Sequence, residues 1–86
     1  MDEYNKYREI EKLLMLFEST NFTLIGDTGE LDFNIYKEIL EKYPKRIERV
    51  ILRDAGNRKK SEEIELYIQS NKDARVEIID SYAKLN

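Results

Sequence analysis

The chain has 86 residues, enough for one small domain. It contains no cysteine and no histidine, which excludes disulfides, thiolate zinc sites, cysteine nucleophiles and imidazole acid–base chemistry. Fifteen basic and 18 acidic side chains give a net charge of -3, without the basic excess that nucleic-acid binding usually leaves. The longest apolar run, Leu13 to Phe17, is far short of the roughly 18 residues of a membrane span. The start, Met1-Asp2-Glu3, is acidic and resembles neither a signal nor a transit peptide. These features predict a cytoplasmic protein, a location that the absence of cysteine suits.

The apolar spacing alternates between two periods along the chain. Residues 3–18 place Tyr7, Ile10, Leu13, Leu14 and Phe17 on one helical stripe. Phe22 to Gly26 reads as a short strand ending at a glycine. Phe33 to Tyr43 returns to helical spacing, with Asp32 as its expected N-cap and Pro44 as its stop. Ile47 to Leu52 is a second strand built on Val50-Ile51-Leu52. Residues 54–60 read as a loop, after which Ser61 is expected to cap a third helix with the stripe Ile64, Tyr67 and Ile68. Glu62 and Glu63 then fall in its first turn, the favourable sign for the helix dipole. Asn71 to Ala74 turns the chain, Val76 to Ile79 is a third strand, and Ser81 to Asn86 is a tail or a last helical turn.

The resulting order, α-β-α-β-α-β, predicts a single domain over residues 1–86. Its fold class is a small three-layer α/β/α unit on a three-stranded parallel sheet with right-handed crossovers. Helices two and three are expected on one face and helix one on the other. Ligands of such a sheet sit beyond the carboxyl ends of the strands. Here those ends read Gly26-Asp27-Thr28-Gly29-Glu30-Leu31-Asp32, then Arg53-Asp54, then Asp80-Ser81. Each strand delivers an acid to one edge, and carboxylates beside a backbone turn suit Mg²⁺, a hard cation that keeps several waters. A plain structural reading stands beside this one. In it Asp32 caps a helix, Asp27 fixes a turn, Asp80 caps the tail, and Arg53 and Asp54 form a solvated pair.

Residues 22–56, FTLIGDTGELDFNIYKEILEKYPKRIERVILRDAG, resemble the actin-patch-associated type of phosphatidate phosphatase and its bacterial relatives, a group within the HAD superfamily. The matching positions are Phe22, Leu24, Ile25, Gly26, Asp27, Thr28 in place of Ser, Gly29, Asp32, Ile35 and Tyr36. They continue with Tyr43-Pro44, Arg46-Ile47 and Ile51-Leu52-Arg53-Asp54. Upstream, Lys6, Ile10, Leu13, Leu14 and Phe17 keep the family spacing, while Asn5 replaces a His and Glu18 a Pro. The resemblance implies that Lys6 offsets charge on a phosphorylated intermediate and that Asp27 and Asp32 hold Mg²⁺. Phosphoryl transfer needs cations around the moving oxygens and a metal held by carboxylates. The alternative for Lys6 is a solvated lysine on a helix face. Thr28, Gly29, Arg53, Asp54 and Asp80 are further strand-end candidates.

The same resemblance implies a nucleophile and an acid/base in a D-x-D-x-[TV] strand, and these 86 residues contain no such motif. The expected product is a half-domain that retains Mg²⁺ and phosphate contacts but does not turn over substrate alone. Without a neighbouring strand, Phe22–Gly26 becomes a sheet edge. Pairing of that edge with a second copy, or with a partner chain carrying the missing half, is therefore an alternative function. Arg58-Lys59-Lys60, read as a solvated loop, is too small a basic cluster to predict nucleic-acid binding.

Overall fold

A computed structural model of the chain describes residues 3–29, 31–71 and 73–81. The elements follow the expected order: α1 (Glu3–Leu16), β1 (Phe22–Asp27), α2 (Asp32–Lys42), β2 (Ile47–Arg53), α3 (Arg58–Ser70) and β3 (Val76–Ile79). The strands form one parallel sheet in the order β1-β2-β3. Of the tail expected at 81–86, all but Ser81 lies outside the described residues. None of the helices described is long and apolar enough to cross a membrane.

Alternation along the strands decides where the core lies. Leu24, Val50, Leu52 and Val76 point to one face and are buried, while Thr23 and Arg49 point to the other and are exposed. Both crossovers move across the sheet in the same direction, so right-handed connections put α2 and α3 on one face. The core there is built on Phe33, Ile39, Ile47, Leu52 and Ile64, all nearly inaccessible to solvent. Phe33 and Tyr67 meet edge to face at 5.6 Å and join α2 to α3.

Helix α1 departs from its expected place. Its Leu14 is 2% exposed and belongs to the same core cluster, with Tyr7 and Ile10 packed against it. Glu11 accepts bonds from Lys42 Nζ at 2.9 Å and from the Tyr43 hydroxyl, which ties α1 to α2. The helix therefore lies with α2 rather than in a layer of its own. The opposite face is mixed: Arg49, Arg53 and Glu77 share it with Ile25 and Ile51, of which Ile51 is 2% exposed.

Two helix starts also differ. Asn57, not Ser61, caps α3: its side chain accepts the Lys60 N–H at 3.0 Å. The basic run 58–60 is thus helical rather than loop, and its charges pair forward, Arg58 with Glu62 and Lys60 with Glu63. Asp32 does not cap α2. Leu31 stands at the cap without a side-chain bond, and Asp32 is the first helical residue, its carboxylate already committed elsewhere. Tyr43 ends α2 just ahead of Pro44, as the sequence predicts.

The end of the sheet away from the strand carboxyl termini is fastened by Arg46. Its guanidinium donates to the carbonyls of Leu14 (3.0 Å), Phe17 (2.6 Å) and Thr20 (2.9 Å). Leu14 lies in the last turn of α1, whose carbonyls lack helical partners, and Phe17 and Thr20 lie in the turn that follows; a cation there also suits the helix dipole. Arg46 also accepts the Phe22 N–H through its own carbonyl at 2.8 Å, so one residue aligns α1, β1 and β2. Replacing Arg46 by Ala is expected to lower stability by about 1–3 kcal/mol, with Lys recovering only part. Urea denaturation of the three proteins checks it.

Candidate functional site

Residues of α1, β1 and α2 meet at the carboxyl edge of the sheet. Lys6 of α1 forms an ion pair with Asp32 Oδ1 at the start of α2. The second carboxylate oxygen of Asp32 accepts the backbone N–H of Asp27, the last residue of β1, at 3.1 Å. The Lys6 amine also lies 5.3 Å from the centre of the Tyr36 ring. Lys6 is therefore not a solvated lysine on a helix face: it is fixed against the group that orders the β1 loop.

Gly26 makes this arrangement sterically feasible. A Cβ there would lie 2.8 Å from both Cβ and Cγ of Asp32 and would overlap its carboxylate. Only a residue without a side chain lets Asp32 pack onto β1. Gly29 is tight but less confined, since a Cβ would approach that of Ala55 to 3.1 Å.

Asp27 is the more open carboxylate, with 28% of its side chain exposed. Its Oδ1 accepts the Gly29 N–H at 2.9 Å, which closes a small turn, and its Oδ2 lies 3.9 Å from Arg53 Nη2. Thr28 is fully buried, and its hydroxyl accepts the Ala55 N–H at 2.9 Å. Its own N–H donates to the Arg53 carbonyl at 3.0 Å, so Thr28 binds the loop after β1 to the loop after β2. Asp54 turns to its own loop, accepting the Gly56 N–H at 2.9 Å beside the positive φ of Gly56, 87°. Asp80 follows β3, and β2 separates it from Asp27. Among the described residues the strand-end acids do not gather: no group of three or more acidic side chains is placed to hold a metal.

A donor set for Mg²⁺ can be judged on this geometry. Asp27 fits, being partly exposed and only partly engaged, because Mg²⁺ takes one or two carboxylates and keeps waters and phosphate oxygens as its other ligands. Asp32 is 7% exposed and both its oxygens already have partners. That suits holding Lys6 better than direct coordination.

Tyr36 belongs to this site and was not singled out by its spacing. Its hydroxyl donates to the Ile25 carbonyl at 2.8 Å. Tyr36 follows Asp32 by four residues, so the two share a helix face, and both reach back to β1. That i,i+4 pairing was the available signal, masked by the tyrosine's membership of an apolar stripe. The consequence falls on the outer edge of β1. Phe22 and Thr28 donate toward β2, so Thr23, Ile25 and Asp27 turn their main-chain groups outward. Two of those groups, the Ile25 carbonyl and the Asp27 N–H, are taken by Tyr36 and Asp32.

Burial disfavours the Lys6 charge, but the hydrogen bond and ion pair with Asp32, helped by the nearby Tyr36 oxygen, outweigh it and hold the amine above the usual lysine value of 10.5. A model of the catalytic domain of phosphatidate phosphatase APP1 matches residues 1–54. The matched stretch contains Lys6, Asp27, Thr28, Gly29, Asp32, Arg53 and Asp54, while Asp80 lies beyond it. No curated protein and no solved structure matches the chain.

Two outcomes are expected. Gly26→Ala should destabilise the fold by roughly 1–3 kcal/mol through overlap with Asp32, read by denaturant unfolding. Because the Lys6 pKa is raised on folding, the ion pair contributes fully below about 10.5 and is lost only as pH rises through the higher folded value. In an alkaline titration followed by lysine NMR, Lys6 should titrate above the ordinary value, and Asp32→Asn should bring it down.

Proposed function

The chain belongs to the family of the phosphatidate phosphatase APP1 catalytic domain, and from that premise we propose that it supplies the acid-and-lysine side of a HAD-type phosphate-handling site. The observation that carries this reading is the Lys6–Asp32–Asp27 network, joined across 26 positions of sequence at the edge where α/β sheets bind ligands. In it Asp27 is the residue that would hold Mg²⁺, Asp32 is a positioning residue for Lys6, and Lys6 faces the charge of a phosphoryl group. Bound there, Mg²⁺ would neutralise phosphate oxygens and orient them. Asp32 keeps the Lys6 amine protonated and aimed, while the Gly29 N–H fixes one oxygen of Asp27 and so sets where the other points.

No side chain in this network is placed or activated as a nucleophile. With the D-x-D-x-[TV] motif not among these 86 residues, the proposal assigns bond-making to a segment outside them, and no turnover to this chain alone. A second reading, binding of a partner chain or of a second copy along β1, draws support from its edge position and from exposed Leu13, Leu16, Phe17 and Ile25. The bonds from Tyr36 and Asp32 to the upper half of that edge count against it.

Titration of the 86-residue chain with MgCl₂, followed by amide NMR, tests the first reading. Shifts centred on residues 26–29 and 32 are expected, and Asp27→Asn should remove them. No shifts, together with a mass that rises with concentration, would favour the second reading. Hydrolysis of a phosphate monoester by the pure chain, lost in Asp27→Asn, would overturn the assignment of bond-making to another segment.

A further inference from the structure

We propose that Arg53 is a substrate-contacting residue, one that receives the non-bridging oxygens of a phosphate monoester bound beside Asp27. The inference rests on the reading of the Asp27 edge as a phosphate-handling site and adds the group that recognises the dianion.

Arg53 ends β2, the central strand, and is the register partner of Asp27. Its backbone is held by the sheet, since its carbonyl accepts the Thr28 N–H at 3.0 Å. The position of the side chain's root is therefore as fixed as that of Asp27 itself. The guanidinium lies 3.9 Å from Asp27 Oδ2. That is an ion pair longer than a hydrogen bond, which sets the guanidinium beside the Asp27 carboxylate. The side chain is 41% exposed at the same edge.

The other cations near this edge are differently placed. Lys6 is paired with Asp32. Lys60 contacts Asn34 and Glu63 with only 17% of its side chain exposed, and Arg58 pairs with Glu62 at the start of α3. Arg53 alone among these combines a root in the sheet, an exposed head and Asp27 as its neighbour. The chemistry requires such a group. A phosphate monoester carries nearly two negative charges at neutral pH. Asp27 and Asp54 at this edge, and a net charge of -3 on the chain, would repel it. A guanidinium offers two parallel N–H donors to two phosphate oxygens, a geometry that an ammonium cannot copy.

The test titrates inorganic phosphate at pH 8 into the full chain in MgCl₂, followed by amide NMR, with MgCl₂ titrated separately. Arg53→Gln is expected to weaken phosphate binding at least about tenfold while leaving Mg²⁺ binding at Asp27 as strong as before or stronger. Arg53→Lys should keep the charge yet restore only part of the affinity. If both variants bind phosphate like the parent while Lys6→Ala or Asp27→Asn abolishes it, the role of Arg53 is refuted and the site reading survives. If the parent chain itself binds neither phosphate nor Mg²⁺, both fall together. Parallel loss of Mg²⁺ and phosphate binding in Arg53→Gln would show that Arg53 merely supports Asp27, which also refutes the proposal.

Discussion

The Asp32 carboxylate is the junction on which the functional end of this domain depends. One oxygen takes the Lys6 amine from α1, the other takes the Asp27 N–H from β1, and the group rests on the bare backbone of Gly26. A buried carboxylate is costly unless its oxygens are satisfied, and here both are. Removing Lys6 would leave a nearly buried charge with one partner missing, a larger cost than the value of the pair itself. The same logic makes Gly26 part of the site although it carries no chemistry, because it permits the approach.

The placement of α1 then follows from both of its ends. Toward its start Lys6 is anchored at the strand carboxyl edge, and at its close Arg46 binds the Leu14 carbonyl and those of Phe17 and Thr20 in the turn beyond. Glu11 fixes the middle to Lys42 and Tyr43 of α2. Between these polar fastenings only Leu14 is fully withdrawn from water, whereas Leu13 and Leu16 stay exposed. The helix is thus held beside α2 by a few directed bonds and a narrow apolar contact. That division of labour explains why a lysine at position 6 can be delivered to a site built otherwise from residues 26–53.

Much of this was legible in the sequence, and the exceptions share a cause. The six elements and the parallel sheet follow from spacing and from the glycine and proline stops, as with Gly26 and Pro44. The acids at the strand ends also sit where the topology predicts. What spacing does not disclose is how a polar side chain is shared between elements. Asp32 scores as a cap by local preference, yet a distant lysine and the Asp27 N–H outbid the helix's own donors for its oxygens. Ser61 likewise looks like a cap, but Asn57 stands four residues earlier and caps the helix, so the intervening basic run forms its first turn, with Arg58 and Lys60 paired forward to Glu62 and Glu63. The place of α1 was legible in part. Thr23, Arg49, Arg53 and Glu77 alternate with the buried positions, but Ile25 and Ile51 stand among them, so the spacing leaves both faces open to a helix.

The contacts of Asp32 and Asp27 lie within a single stretch of chain, from Lys6 to Arg53, and so does the organisation of the proposed site. The bonds that aim Lys6 and shape the Asp27 turn are made by the domain's own α1, β1 and α2, not by a ligand. Ordering of these groups is therefore completed on folding. A segment bringing a nucleophile, or a phosphate arriving at the edge, would meet a site already arranged, and association would not have to supply that part of the conformational entropy. The polar groups along β1 carry the remaining consequence. Any strand added at that edge must displace the Tyr36 hydroxyl from Ile25 and compete with Asp32 for the Asp27 N–H. The contacts that organise the site thus also weigh against indiscriminate pairing along the strand that bears it.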